Sequence, residues 1–235
     1  MIPLLATVVW TSSLLTFPMW KQNMENWFVW AKLISILIFT IVQSAFSHFE
    51  SKKQLKEPNQ PQNPHLKLQW FFYLLLITNI SEAVVHDIQQ GHVFNAISGI
   101  IQNLPLPLPP KYLELKGKRI HFYTSAYWVF VYVSWNMCFT YNTAMNTVLC
   151  FGKLAAAGLY TIIHNDASTF VVARIYTLNV IMIIKATSPY FIKYVLFKNN
   201  IPFNSTIRKM WDIFNTLNAI PLLWFRFANK KVKQE

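Results

Sequence analysis

Apolar residues fill most of this chain in stretches of roughly twenty, the length a helix rising 1.5 Å per residue needs to cross a hydrocarbon core of about 30 Å. Short clusters rich in Pro, Lys and Asn separate them. The pattern predicts membrane helices at 2–19, 27–47, 69–87, 92–104, 122–142, 145–163, 168–187 and 211–226. The expected fold is therefore all-α: a polytopic transmembrane helix bundle of seven or eight membrane segments, forming one integral membrane domain over residues 1–235. Segment 92–104 is short enough to be re-entrant, and 211–226 is short and broken by Pro221. Re-entrant backbone is tolerated at membrane depth only where protein buries it or where it lines a cavity. No basic residue precedes Lys21 and no small-x-small cleavage pattern follows the first apolar core, so 2–19 reads as a span.

Polar residues interrupt this pattern most sharply between 77 and 103. On a helix Asn79, Glu82 and His86 fall at i, i+3 and i+7 and share a face, with Asp87 about 100° round. Beyond Gln89-Gln90-Gly91, the residues Asn95, Ser98 and Gln102 repeat that spacing. An ionised side chain at the bilayer centre is penalised by about 2.5–3.5 kcal/mol even on insertion scales, so such residues face protein or a wet cavity. Two adjacent stripes predict a shared internal site. Glu82 and Asp87 need protonation, a cation or an arginine, and Arg174 in segment 168–187 is the expected partner. The alternative is a buried ion pair that only fixes helix register. Asn136 and Asn142 lie six residues apart, about 240° round a helix, so both face one cavity only where that span departs from regular geometry, and in a regular span one of them serves as interhelical glue.

Composition supports the bilayer: 54% of residues are hydrophobic and 13% charged, against roughly 25% charged in soluble domains. The net charge of +12 is spread in clusters between apolar runs, as membrane topology places it, so no nucleic acid is expected as a partner. Placing loops 48–68 and 105–121 and both termini in the cytoplasm gathers Lys52, Lys53, Lys56, Lys67, Lys111, Lys116, Lys118, Arg119, Arg226, Lys230, Lys231 and Lys233 on one face. Lys21, Lys193, Lys198, Arg208 and Lys209 fall opposite. Cys138 and Cys150 both sit in apolar stretches and imply no disulfide framework. His86, His92, His164 and Asp166 lack the spacing of a metal motif, and His164-Asn165-Asp166 reads as a turn. With only five glycines there is no nucleophile elbow and no phosphate loop, and no cofactor is identified.

The blocks SEAVVHDIQQG at 81–91, NAISGIIQN at 95–103, YWVFVYVSWNMCFTYN at 127–142 and ARIYTLNVIMI at 173–183 follow one another in a characteristic order. Over about residues 79–183 they resemble an uncharacterised bacterial multi-pass integral membrane protein family, a domain of unknown function. The resemblance implies a shared multi-span fold in a bacterial inner membrane. It points at Glu82, Asp87, Asn95, Trp135, Asn136, Asn142 and Arg174, does not fix a histidine at the position of His86, and supplies no activity. The expected function is binding or transport of a small solute or ion in a polar intramembrane cavity formed by Glu82, His86, Asp87, Asn95, Asn136, Asn142 and Arg174. The competing readings are a membrane-embedded enzyme, metal-dependent and acting on a lipid or small apolar substrate, and a structural accessory protein. Cysteines placed at Lys53, Lys116 and Lys231 are expected to label from the side of both termini. Opposite-side labelling at 53 and 116 would show that 92–104 does not cross.

Overall fold

The protein is represented by a computed structural model that describes residues 34–36, 38–42, 45, 66–109, 111–116, 119–143, 147–187 and 201–231. The expected span 2–19, most of 27–47 and nearly all of loop 48–68 lie outside the described residues. The described chain is mostly helical. In order come α1 (Leu66–Gln89), α2 (Val93–Asn103), β1 (Leu113–Lys116), β2 (Arg119–Phe122), α3 (Ala126–Thr143), α4 (Thr147–Ile163), a 3-10 turn (Ala167–Thr169), α5 (Phe170–Thr187) and α6 (Ser205–Lys231). Among the described residues α1 is the one helix of eighteen or more residues apolar enough to cross a membrane. Shorter apolar helical stretches cover Cys150–Ile163 and Ala167–Ile181. Helix α2 has 11 residues, about 16 Å at 1.5 Å each, half of a hydrocarbon core.

The helix ends follow from local chemistry. After α1, Gly91 takes φ +78°, a conformation that only glycine adopts without strain. His92 N–H donates to Asp87 O at 2.8 Å and Gly91 N–H to Ile88 O at 3.0 Å, the paired bonds of a Schellman ending. The same device ends α4: Asn165 has φ 49°, and Asp166 and Asn165 donate to Thr161 O and Ile162 O. The Asp166 carboxylate then caps the 3-10 turn through Ser168 N–H at 3.0 Å. Helix α6 starts on Asn204, whose side-chain oxygen accepts from Thr206 N–H at 2.9 Å and Ile207 N–H at 3.1 Å, the bonds of an N-cap. That start lies well before the expected 211, and the helix continues through Pro221.

The stretch expected as an open basic loop, 105–121, contains most of an antiparallel hairpin pairing Leu113 with Phe122 and Lys116 with Arg119. This departs from an all-helical fold, and it has an apolar reason. Tyr112, Leu113, Ile120 and Phe122 are buried, and Phe122 packs edge-on against Phe72 of α1 and against Tyr112 with ring centroids 6.1 and 5.3 Å apart. The Tyr112 hydroxyl has no hydrogen-bond partner among the described residues, and burial pushes its phenol well above the ordinary value, which keeps it neutral.

Helices α1, α2 and α3 meet at Gly99. A Cβ there would stand 2.6 Å from Val84 Cγ2 and 2.8 Å from the Trp135 ring, so only hydrogen fits. The indoles of Trp128 and Trp135 donate to Gln102 O and Asn95 O, each at 2.8 Å. Both pairs are seven residues apart along their helices and run in opposite order, which sets α3 antiparallel to α2. Gly99→Ala should therefore lower stability by about 1–3 kcal/mol through overpacking. Thermal unfolding in detergent checks this, and an unchanged midpoint would mean that the three-helix contact is looser than described.

Candidate functional site

Of the three elements that meet around Asp87, two contribute a periodic polar stripe. On α2, Asn95, Ser98 and Gln102 are fully buried, as their i, i+3, i+7 spacing predicts. On α6, Arg208, Asp212 and Asn215 at i, i+4 and i+7 are also buried. Helix α1 supplies Asp87 from its last turn, likewise fully buried.

Arg208 sits at the centre. Its Nη2 donates to Asp87 Oδ1 at 2.9 Å and its Nε to Asp212 Oδ1 at 2.8 Å. Its Nη1 donates to the carbonyl of Cys138 and, at 3.4 Å, to that of Phe139 on α3. All three guanidinium nitrogens are thus engaged, on three different helices. The second Asp87 oxygen accepts from Asn95 Nδ2 at 2.6 Å. Asn95 Oδ1 accepts from Asn215 Nδ2 at 3.0 Å, and Asn215 Oδ1 accepts from Ser134 Oγ at 2.6 Å. Trp211 Nε1 donates to Ser134 Oγ at 3.0 Å, and Ser98 Oγ donates to Asn215 O at 3.2 Å. On the outer side His92 Nδ1 lies 3.2 Å from Asp212 Oδ2, with 17% of the His92 side chain exposed. The Cys138 thiol donates to Asp212 Oδ1 at 3.2 Å.

Two carboxylates thus face one guanidinium, and His92 meets the outer of them at the partly exposed edge of the centre.

Of the residues singled out by sequence, the structure brings Asp87 and Asn95 together and sets the others apart. Arg174 makes no ion pair with Glu82 or Asp87; the role expected of it at Asp87 belongs to Arg208. Sequence spacing gave no means of choosing between two arginines on different helices. Glu82 is half-buried on α1, and the half-buried His86 packs edge-on against Phe139 with centroids 5.6 Å apart. Asn136 is buried on α3. The Asn142 side chain lies outside the described residues. Arg174 is buried on α5 and lines a cleft with Asn79 and Tyr132. Arg208, Asp212, Asn215 and Ser134 were missed, although the 208–215 spacing repeats the very stripe that identified α2.

The histidines considered as metal ligands are also separated. His92 is on Asp212, whereas His164 stacks on Tyr160 at 4.1 Å. Among the described residues no group of three or more His, Cys, Asp or Glu is placed to hold a metal ion. His121 does meet Ser168 and Asp166, with His121 Nδ1 2.6 Å from Ser168 Oγ and 3.3 Å from Asp166 Oδ2. Both contacts use one ring nitrogen, and Ser168 Oγ donates to Asp166 at 2.6 Å. A nucleophile relay needs the serine and the carboxylate on opposite ring nitrogens. This cluster instead fastens the hairpin to the turn before α5.

No family model, no curated protein and no solved structure matches this chain.

Removing one member of the buried charge group strands its partner and should lower stability by about 3–5 kcal/mol, while removing both should cost less than the sum. Arg208→Met, Asp87→Asn and the double variant, unfolded in detergent, test this as a cycle. Strict additivity would show that the two side chains are not coupled.

Proposed function

We propose that this chain is a multi-pass integral membrane protein whose Asp87–Arg208–Asp212–His92 centre binds or conducts a small ion, a proton being the simplest. The observation that carries this reading is the inverted distribution of polarity. Helices α2 and α6 turn Asn95, Ser98, Gln102, Arg208, Asp212 and Asn215 inward, while Ile97, Ile100, Ile213, Leu217, Ile220 and Trp224 are exposed. Trp224 is 74% exposed and Ile163, at the end of α4, 77%. An outer surface of this kind associates or aggregates in water and is at home in hydrocarbon.

Length and composition single out α1 alone as a spanning helix, so the remaining spans rest on this face pattern and on the resemblance to a bacterial multi-pass family. The half-length α2, docked between α1 and α6, fits the re-entrant reading of 92–104 and keeps its polar face against protein. Ionisable side chains facing a bundle interior are the usual makings of ion paths and proton relays. Two carboxylates beside one guanidinium, with a partly exposed imidazole against the second, give this centre a place for a proton or small cation, whereas a group built only to fix register needs no partly exposed edge. The full engagement of Arg208 is what favours that structural reading, and one assay separates the two.

Protein reconstituted in liposomes loaded with a pH-sensitive dye should dissipate an imposed pH gradient faster than empty liposomes. Asp212→Asn and His92→Gln should each lose most of that flux while still inserting. Flux equal to empty vesicles for the natural sequence, or unchanged flux in both variants, would overturn ion conduction through this centre and leave the structural role.

A further inference from the structure

A second buried arginine has no counter-ion among the described residues, and its surroundings indicate what would supply one. Arg174 of α5 is 6% exposed, and its Nε and Nη1 have no hydrogen-bond partner among the described residues. No carboxylate among the described residues pairs with it. A guanidinium stays charged at any ordinary pH, so burial in this condition is strongly unfavourable unless an anion arrives. The side chain lines an open cleft between α1, α3, α5 and the residues Ser35, Ile36 and Phe39.

The rest of the cleft selects the kind of anion. Beyond Arg174, polar side chains come from Ser35, Asn79 and Tyr132, while Phe39, Leu75, Trp128, Phe170 and Leu178 belong to the apolar majority. Free phosphate or a sugar phosphate would leave those apolar walls wet. A molecule with one anionic head and a hydrocarbon tail satisfies both parts: the head pairs with the guanidinium beside the Tyr132 and Asn79 polar groups, and the tail lies on the aromatic and aliphatic walls.

We infer that the Arg174 cleft is a binding site for an anionic amphiphile, a carboxylate or phosphate head on an acyl chain. The site uses none of the residues of the Arg208 centre. It goes beyond ion conduction there, and its test reads ligand binding, so either proposal can fail without the other.

The test is equilibrium binding of radiolabelled oleate to the purified full chain in a non-ionic detergent. Competitors are phosphatidylglycerol, the uncharged alcohol oleyl alcohol and inorganic phosphate. Saturable binding is expected, reduced about tenfold or more in Arg174→Gln, the effect of losing a hydrogen bond to a charged group. Because Arg174→Gln relieves an uncompensated buried charge, it should fold at least as well as the natural sequence. Leu75→Trp, which keeps the cation and fills the apolar wall, should weaken binding as well. Displacement by phosphatidylglycerol at lower concentration than by unlabelled oleate assigns the site to membrane phospholipid, and the reverse order assigns it to free fatty acid. Binding unchanged in both variants, displacement by oleyl alcohol as effective as by oleate, displacement by inorganic phosphate alone, or no saturable binding would each overturn the inference.

Discussion

The buried guanidinium of Arg208 is the constraint from which the arrangement of the helices follows. It cannot shed its charge, and it lies where water does not reach. Each of its nitrogens must therefore find an acceptor in the protein, and the acceptors come from three helices: Asp87 on α1, the 138–139 carbonyls on α3 and Asp212 one turn along α6. Such a group adds little net stability compared with an apolar core of equal volume, yet an arrangement that leaves one of its charges alone is penalised by several kcal/mol. Its effect is to select one register among helices whose remaining contacts are largely apolar and interchangeable.

Helix α2 completes the centre because a tight turn brings it back against α1. The Schellman ending at Gly91 turns the chain sharply after Asp87, so that Asn95 reaches back eight residues to the same carboxylate. At the other end the Gln102 carbonyl, one of the last of its helix, accepts from the Trp128 indole. This half-length helix turns Asn95, Ser98 and Gln102 inward and Val93, Ile97 and Ile100 outward. The hairpin of β1 and β2 closes the end near the start of α1, where Phe72, Tyr112 and Phe122 form the aromatic contact. Around the Arg208 centre, α2 and α6 thus turn polar residues inward and apolar ones outward.

Much of this was legible in the sequence wherever polar residues recur at helical spacing inside an apolar run. Asn95, Ser98 and Gln102 were identified that way, and so was Asp87. Arg208, Asp212 and Asn215 obey the same rule but escaped it, because Ile201-Pro202-Phe203-Asn204-Ser205-Thr206 reads as a loop and the following Arg208-Lys209 as its basic edge. The signal that could have recovered them is Asn204, whose side chain caps the start of α6. Arg174 stands out as an arginine inside an apolar stretch and is buried, but the identity of its partner depends on which helix packs on α1, and that is a long-range fact no spacing within α5 carries. The hairpin was hidden because four-residue strands offer too few alternations to stand out against a lysine-rich stretch following PLPLPP.

The claim that joins these observations is that the polar centre is enclosed by a surface in contact with lipid. Single nitroxide labels on α6 measure it most directly: one at Leu217, 61% exposed on the apolar side, and one at Asn215, buried two positions away. In reconstituted bilayers the account predicts that the Leu217 label is relaxed by molecular oxygen and shielded from a water-soluble nickel chelate, while the Asn215 label is shielded from both. Strong relaxation of the Leu217 label by the nickel chelate would place that face in water and contradict the account.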